Sequence, residues 1–154
     1  MAKTTTDLYR SVMDKTFKIK PQVYPGDGVL YPRWEVQHKE LPDGSIRTIN
    51  KDVDLEVTSE GVAVLPGGGT SLHDIAAWFN CQDFFIPAGT EYSDEIHIKA
   101  DKKTKEHPRR KGEFGRHYQL EPKSRMLVVT FKGYLDNMAR AAVARQVELA
   151  KAHG

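Results

Sequence analysis

Residues 124–152 read SRMLVVTFKGYLDNMARAAVARQVELAKA. Leu127, Phe131, Leu135, Met138, Ala142 and Leu149 fall at spacings of 4, 4, 3, 4 and 7. That places them on one apolar stripe, and the spacing predicts one long helix from about Ser124 to Ala152. Met126–Phe131 also has strand propensity. Gly133 would cost a helix about 1 kcal/mol relative to alanine. The alternative is therefore a break there, with strand before and helix after. Lys151 suits the negative end of the helix dipole.

Upstream of this helix the pattern turns to β. Residues 6–13 fit a strand with Leu8, Arg10 and Val12 on one side, and a helix nearly as well. Residues 20–50 are rich in turn formers, and Asp43-Gly44 between β-compatible runs marks a hairpin. Val53–Val57 and Val62–Leu65 read as short strands joined at Ser59-Glu60-Gly61. Phe84-Phe85-Ile86 reads as a strand stopped by Pro87, and alternation resumes at His117-Tyr118-Gln119-Leu120. Between them, Gly67-Gly68-Gly69 precede Thr70–Phe79. In that run Ser71 and Asp74 form an S-x-x-D cap, and Leu72, Ile75, Ala76 and Phe79 keep helical spacing. A short helix is expected there, and the class is α+β.

The chain has 154 residues, 39% of them hydrophobic, which suits one domain over 1–154. No apolar run approaches the roughly 20 residues that span a bilayer, so membrane insertion is not expected. The polar start Met1-Ala2-Lys3-Thr4-Thr5-Thr6-Asp7 does not resemble a secretory signal. Net charge is +2, too small for a general nucleic-acid coat. Residues 99–116 hold eight Lys or Arg against three acidic residues, a local charge of +5. They read as a long exposed basic loop. Cys81 is the only cysteine, so no internal disulfide forms; it reads as a small buried hydrophobe.

Phosphate-loop, dinucleotide-fold, zinc-protease and nucleophile-elbow motifs are all absent. The six histidines show no compact metal spacing, so no metal is expected. No Ser-His-Asp order stands out. The most unusual segment is Gly67-Gly68-Gly69-Thr70-Ser71. Its glycines let backbone N–H groups approach a ligand, and Thr70 and Ser71 add hydroxyls. A tight structural turn explains the segment equally simply. Arg10 could grip a diphosphate or ribose with its fork of donors. His117 could donate to a ligand oxygen, and Tyr118 could stack on a ring.

In order, Leu8-Tyr9-Arg10, Gly68-Gly69-Thr70-Ser71, Phe85-Ile86-Pro87-Ala88-Gly89-Thr90, His117-Tyr118, Leu135-Asp136-Asn137, Arg140 and Arg145-Gln146 form a series. That series resembles the cytotoxic effectors of bacterial type VI secretion that have an ADP-ribosyltransferase-like fold. The resemblance implies a split, twisted β-sheet with a cleft for NAD. It implies that Ser71, His117 and Thr70 are catalytic. It implies NAD contacts from Tyr9, Arg10, Gly69, Thr70 and Tyr118. Classical transferases carry a glutamate on a late strand; Glu113 and Glu121 flank His117, and neither is assigned that role. The resemblance further implies a macromolecular acceptor, a cognate immunity protein, and export without a signal peptide to act in a recipient cytoplasm.

In NAD chemistry the nicotinamide–ribose bond breaks with positive charge growing on the ribose. Holding the dinucleotide in a bent pose and stabilising that charge then matter most. Two other readings stay open: an RNase-like toxin using His117 with cations of the 99–116 loop, and a non-catalytic binding module.

Overall fold

Strict alternation along the strands sorts side chains onto two unlike faces of one antiparallel sheet. The computed structural model describes residues 1–12, 26–32, 37–50, 55–58, 62–79 and 82–153. In chain order the strands are β1 (Ala2–Lys3), β2 (Leu8–Val12), β3 (Gln37–Glu40), β4 (Ile46–Asn50), β5 (Ala63–Val64), β6 (Thr70–His73) and β7 (Gln82–Ile86). Then follow β8 (Glu91–Tyr92), β9 (Ile96–Ala100), β10 (Lys105–Glu106), β11 (Phe114–Gly115), β12 (His117–Pro122), β13 (Met126–Leu127) and the helix α1 (Val128–His153). The main sheet has the order β7-β2-β6-β12-β9, and four two-stranded pairs surround it. This mixture of antiparallel sheets and a C-terminal helix is the α+β architecture expected of the ADP-ribosyltransferase-like class.

One face of the main sheet is the core. The register pairs Leu8 with Ile86, Arg10 with Phe84, Leu72 with Tyr118, and Leu120 with Thr70 and Ile98. Leu8, Leu72, Phe84, Ile86, Ile96 and Leu120 are buried in one cluster with Phe131, Leu135, Met138, Ala139 and Ala142 of α1. Four of the six stripe positions predicted for the helix are thus its buried side. The helix starts later than Ser124. Met126 and Leu127 pair with Val64 and Ala63, and the Val128 amide donates to the Val62 carbonyl at 2.8 Å. An available strand edge thus takes Met126 and Leu127, and Leu127 is half exposed. Gly133 does not break the helix. It lies on the exposed side, and a Cβ there would meet nothing within 4 Å.

The polar residues of α1 lash it to loops and to β7. The Asp136 carboxylate accepts from the Gly28 amide at 2.9 Å and the Tyr31 hydroxyl at 2.7 Å. Arg140 pairs with Asp27 at 2.7 Å. Arg145 Nε donates to the Ala88 carbonyl at 3.0 Å, and Gln146 to that of Phe85 at 2.6 Å. Asp136→Ala should cost about 1–3 kcal/mol, because two donors lose a buried acceptor. Urea unfolding measures this, and faster hydrogen exchange at the Gly28 amide should accompany it. Unchanged exchange at Gly28 would mean that the turn is held by other contacts.

The short helix expected after the glycines is replaced by strand and turn. Thr70–His73 is β6, the middle strand, with hydrogen-bonded partners on both sides. Two open strand edges satisfy more backbone groups than one helical turn could. Asp74 does not close a cap with Ser71. Its carboxylate accepts from the Arg116 amide at 2.7 Å and ties the end of β6 to β12. Ala77 sits at φ 58, which a helix cannot contain. The Asp43-Gly44 hairpin joins β3 to β4, and β2, β7 and β12 fall where alternation put them. Val57 bridges Val64, while Val53 and the turn at 59–61 lie outside the described residues, as does Cys81.

Candidate active site

The opposite face of the sheet carries Tyr9, Ser71, His73, His117 and Gln119. The register sets Tyr9 beside His73, His73 beside His117, and Ser71 beside Gln119. His117 Nε2 lies 2.7 Å from Ser71 Oγ. Its other nitrogen, Nδ1, lies 3.3 Å from Asp101 Oδ2. The Asp101 amide donates to the His117 carbonyl at 2.9 Å, continuing the β9–β12 ladder by one step. Asp101, His117 and Ser71 thus form one row, joined by an ion-pair contact and a hydrogen bond and assembled from three segments whose order in the chain conceals it. Sequence reading missed Asp101 because it stands in a charge run. The signal available was its position just past a strand that would pair with His117.

Chain segments 74–79 and 101–116 wall this row. His73 stacks on Trp78 with ring centroids 4.4 Å apart and planes within 10°. The loop at 101–116 is exposed along most of its length but is not loose. β10 and β11 make it a ribbon, and buried His107 anchors it. His107 Nδ1 accepts from the Arg109 and Arg110 amides, both at 3.0 Å. Its Nε2 must therefore carry the proton that goes to the Ala77 carbonyl at 2.8 Å. Arg109 and Arg110 donate to the carbonyls of Ala77 and Ala76. Gly115 lets the ribbon touch the wall, since a Cβ there would lie 2.6 Å from Ile75 and 3.0 Å from Trp78. The cleft so enclosed has a volume of about 280 Å³. Ser71, His73, Trp78, Asp101, Lys105 and His117 are among its lining.

Burial holds His73 down to about pKa 4, and the neighbouring His117 adds to the effect; His107 and Lys105 act the same way, and Asp101 opposes them. In the unfolded chain it titrates near 6.5. Between these values the unfolded state binds the extra proton, so stability is full above about pH 6.5 and drains as pH falls toward 4. The loss is about 3 kcal/mol at most. His73→Phe keeps a ring against Trp78 but cannot charge. It should flatten the pH dependence of the urea midpoint across that window, and an unchanged acid slope would exclude His73 as its source.

The expected site residues divide between the two faces. Ser71, His117 and Tyr9 lie on the cleft face, with Tyr9 stacked on Phe85 at 5.2 Å. Alternation sends Arg10, Thr70 and Tyr118 to the core face. Arg10 donates to the carbonyls of Ser71 at 3.1 Å and Tyr31 at 3.0 Å. Thr70 Oγ1 donates to the Leu30 carbonyl and is fully buried. Tyr118 packs against the core. Gly69 lies under β12, where its missing side chain leaves room for the Leu120 carbonyl.

Glu113 pairs with Arg110 at 2.9 Å at the surface. Sequence reading found no E-x-E or Q-x-E pattern at Glu113 or Glu121, but Gln119-Leu120-Glu121 has Q-x-E spacing and lies on β12. Glu121 is buried, with Oε1 3.7 Å from His97 and Oε2 unpartnered among the described residues. It lies diagonal to Ser71 across the β6–β12 pair and outside the lining of the cleft. Among the described residues no group of three His, Cys, Asp or Glu side chains could hold a metal ion. No helix among them is long and apolar enough to cross a membrane.

Comparison with known proteins fits this arrangement. The family model described as Tse2 ADP-ribosyltransferase toxin matches residues 6–147. Toxin Tse2 of Pseudomonas aeruginosa is 31% identical over 100 residues. That match spans 64% of this chain and 60% of the relative.

Proposed function

The chain belongs to the Tse2 ADP-ribosyltransferase toxin family, and from that premise we propose that residues 1–154 form a toxin domain that consumes NAD at the Ser71–His117 cleft. The observation that carries the reading is the 2.7 Å contact between Ser71 Oγ and His117 Nε2 inside a ring-walled, lysine-lined cleft. At about 280 Å³ the cleft lies just below the usual range of ligand sites, roughly 300 to 1,000 Å³. It suits one nucleoside half of a dinucleotide. The stacked His73 and Trp78 rings offer that half a flat wall, and Lys103 and Lys105 offer cations for phosphate.

Ser71 and His117 are assigned the reacting end. Their oxygen and nitrogen face the space where positive charge grows on the ribose as nicotinamide leaves, and fixed dipoles there lower the barrier. Tyr9 is assigned to the same face. Arg10 and Thr70 act from behind the sheet, Arg10 on the Ser71 carbonyl and Thr70 on the loop at Leu30. Gly69 sets how closely β6 meets β12, and Tyr118 supports the strand that carries His117. The acceptor is a macromolecule of the recipient cytoplasm, and a cognate immunity protein would cover the cleft in the producer.

The test is NAD labelled separately in nicotinamide and adenine, incubated with the protein and a cell lysate. Free nicotinamide with the adenine label on macromolecules is the expected result. Free nicotinamide with the adenine label left in small molecules would make the protein an NAD hydrolase. Intact NAD with degraded RNA would replace this reading with phosphodiester chemistry at the same histidine.

A further inference from the structure

Asp101 belongs to none of the sequence motifs above, yet its placement decides what His117 can do. An Asp101 carboxylate oxygen lies 3.3 Å from His117 Nδ1; it has no proton to give and repels a bare nitrogen lone pair, so it favours the proton on Nδ1. In the neutral ring Nε2 is then the acceptor, and the Ser71 hydroxyl must point its hydrogen at it across 2.7 Å. The Ser71 oxygen is left with lone pairs turned to the cleft. His107, in the same wall, shows the opposite state: two backbone amides occupy its Nδ1 and leave the proton on Nε2. What faces Nδ1, two amide donors in one ring and a carboxylate in the other, distinguishes the two.

An exposed ion pair alone would mean little, and the Asp101 side chain is about half exposed. Here the backbone removes that objection. The Asp101 amide is bound to the His117 carbonyl at 2.9 Å, so the two residues are held as neighbours by the sheet before their side chains meet. The carboxylate therefore spends little conformational freedom in reaching the ring.

We propose that Asp101 is the positioning residue of the site, holding His117 as the Nδ1–H tautomer so that Nε2 accepts the Ser71 hydrogen bond and the Ser71 lone pairs stay turned to the cleft. The inference rests on the NAD reading for its consequence in turnover, but not for the tautomer itself.

Nitrogen-15 spectra of the full chain separate the two. In the wild type, His117 should show a protonated Nδ1 and a bare Nε2 at a pH where the ring is neutral. Asp101→Asn, which can donate to Nδ1, should mix or reverse the tautomers. Its NAD turnover should fall about 10- to 100-fold in kcat with KM little changed, and Asp101→Glu should recover part of the loss. A bare Nδ1 in the wild type overturns the proposal, as does an unaltered tautomer in Asp101→Asn. Turnover unmoved by Asp101→Asn, with the tautomer altered, also overturns the positioning role. Should the tautomer respond while the wild type leaves NAD intact, the Asp101 assignment stands and the NAD reading fails.

Discussion

His117→Ala should fold as the wild type does and lose NAD turnover by roughly 10²–10⁴-fold, the usual worth of a positioned acid–base group. Folding should survive because the ring is a partly exposed side chain on the cleft face, away from the core cluster of Leu8, Leu72, Leu120 and the α1 stripe. The loss should be in chemistry because the imidazole lies against both Asp101 and Ser71. Ser71→Ala should behave alike. The double variant should be little worse than either single one, since groups that act as a unit do not contribute additively. Toxicity in a susceptible cell and nicotinamide release in vitro are the two measurements. Full toxicity from both single variants would remove Ser71 and His117 from the site.

Gly69→Val should give a protein that barely folds. A Cβ at residue 69 would stand 1.9 Å from the Leu120 carbonyl oxygen and 2.7 Å from its carbon. Those are backbone atoms of the neighbouring strand, so no side-chain rotation relieves the overlap. β6 and β12 would have to part where Thr70 pairs with Leu120. Both strands are interior, so the break would reach the core through Leu72 and Leu120. The cost should be several kcal/mol, comparable with the ~5–15 kcal/mol that keeps a whole domain folded. The measurement is the urea midpoint together with soluble yield. Gly133→Ala is the contrasting control. With open space where its Cβ would stand in the second turn of α1, it should raise stability by about 1 kcal/mol. Equal midpoints for the two variants would mean that the approach of β6 to β12 does not limit folding.

The two glycines show where sequence reading is strong and where it is blind. Gly133 was legible because its effect depends on helix propensity alone. Gly69 announced only that something unusual happens near it, because the atom that excludes a side chain lies 51 residues along the chain. The same division runs through Thr70-Ser71. Their adjacency reads as a hydroxyl pair in one pocket. Strand pleating sends neighbouring side chains to opposite faces, so Ser71 meets His117 while Thr70 is buried against Leu30.

Local chemistry by itself determined the strands around Phe84 and His117 and the hairpin at Asp43-Gly44 and favoured the long C-terminal helix, because periodicity and turn preference act over a few residues; around Arg10 it left strand and helix open. The series of short motifs also pointed to the toxin family. Only the tertiary structure decided that Thr70–His73 is a central strand, because a partner strand on each side outweighs a modest helical signal. The row of Asp101, His117 and Ser71 was likewise a tertiary decision. Hydrogen bonds between strands bring together residues that no spacing along the chain relates.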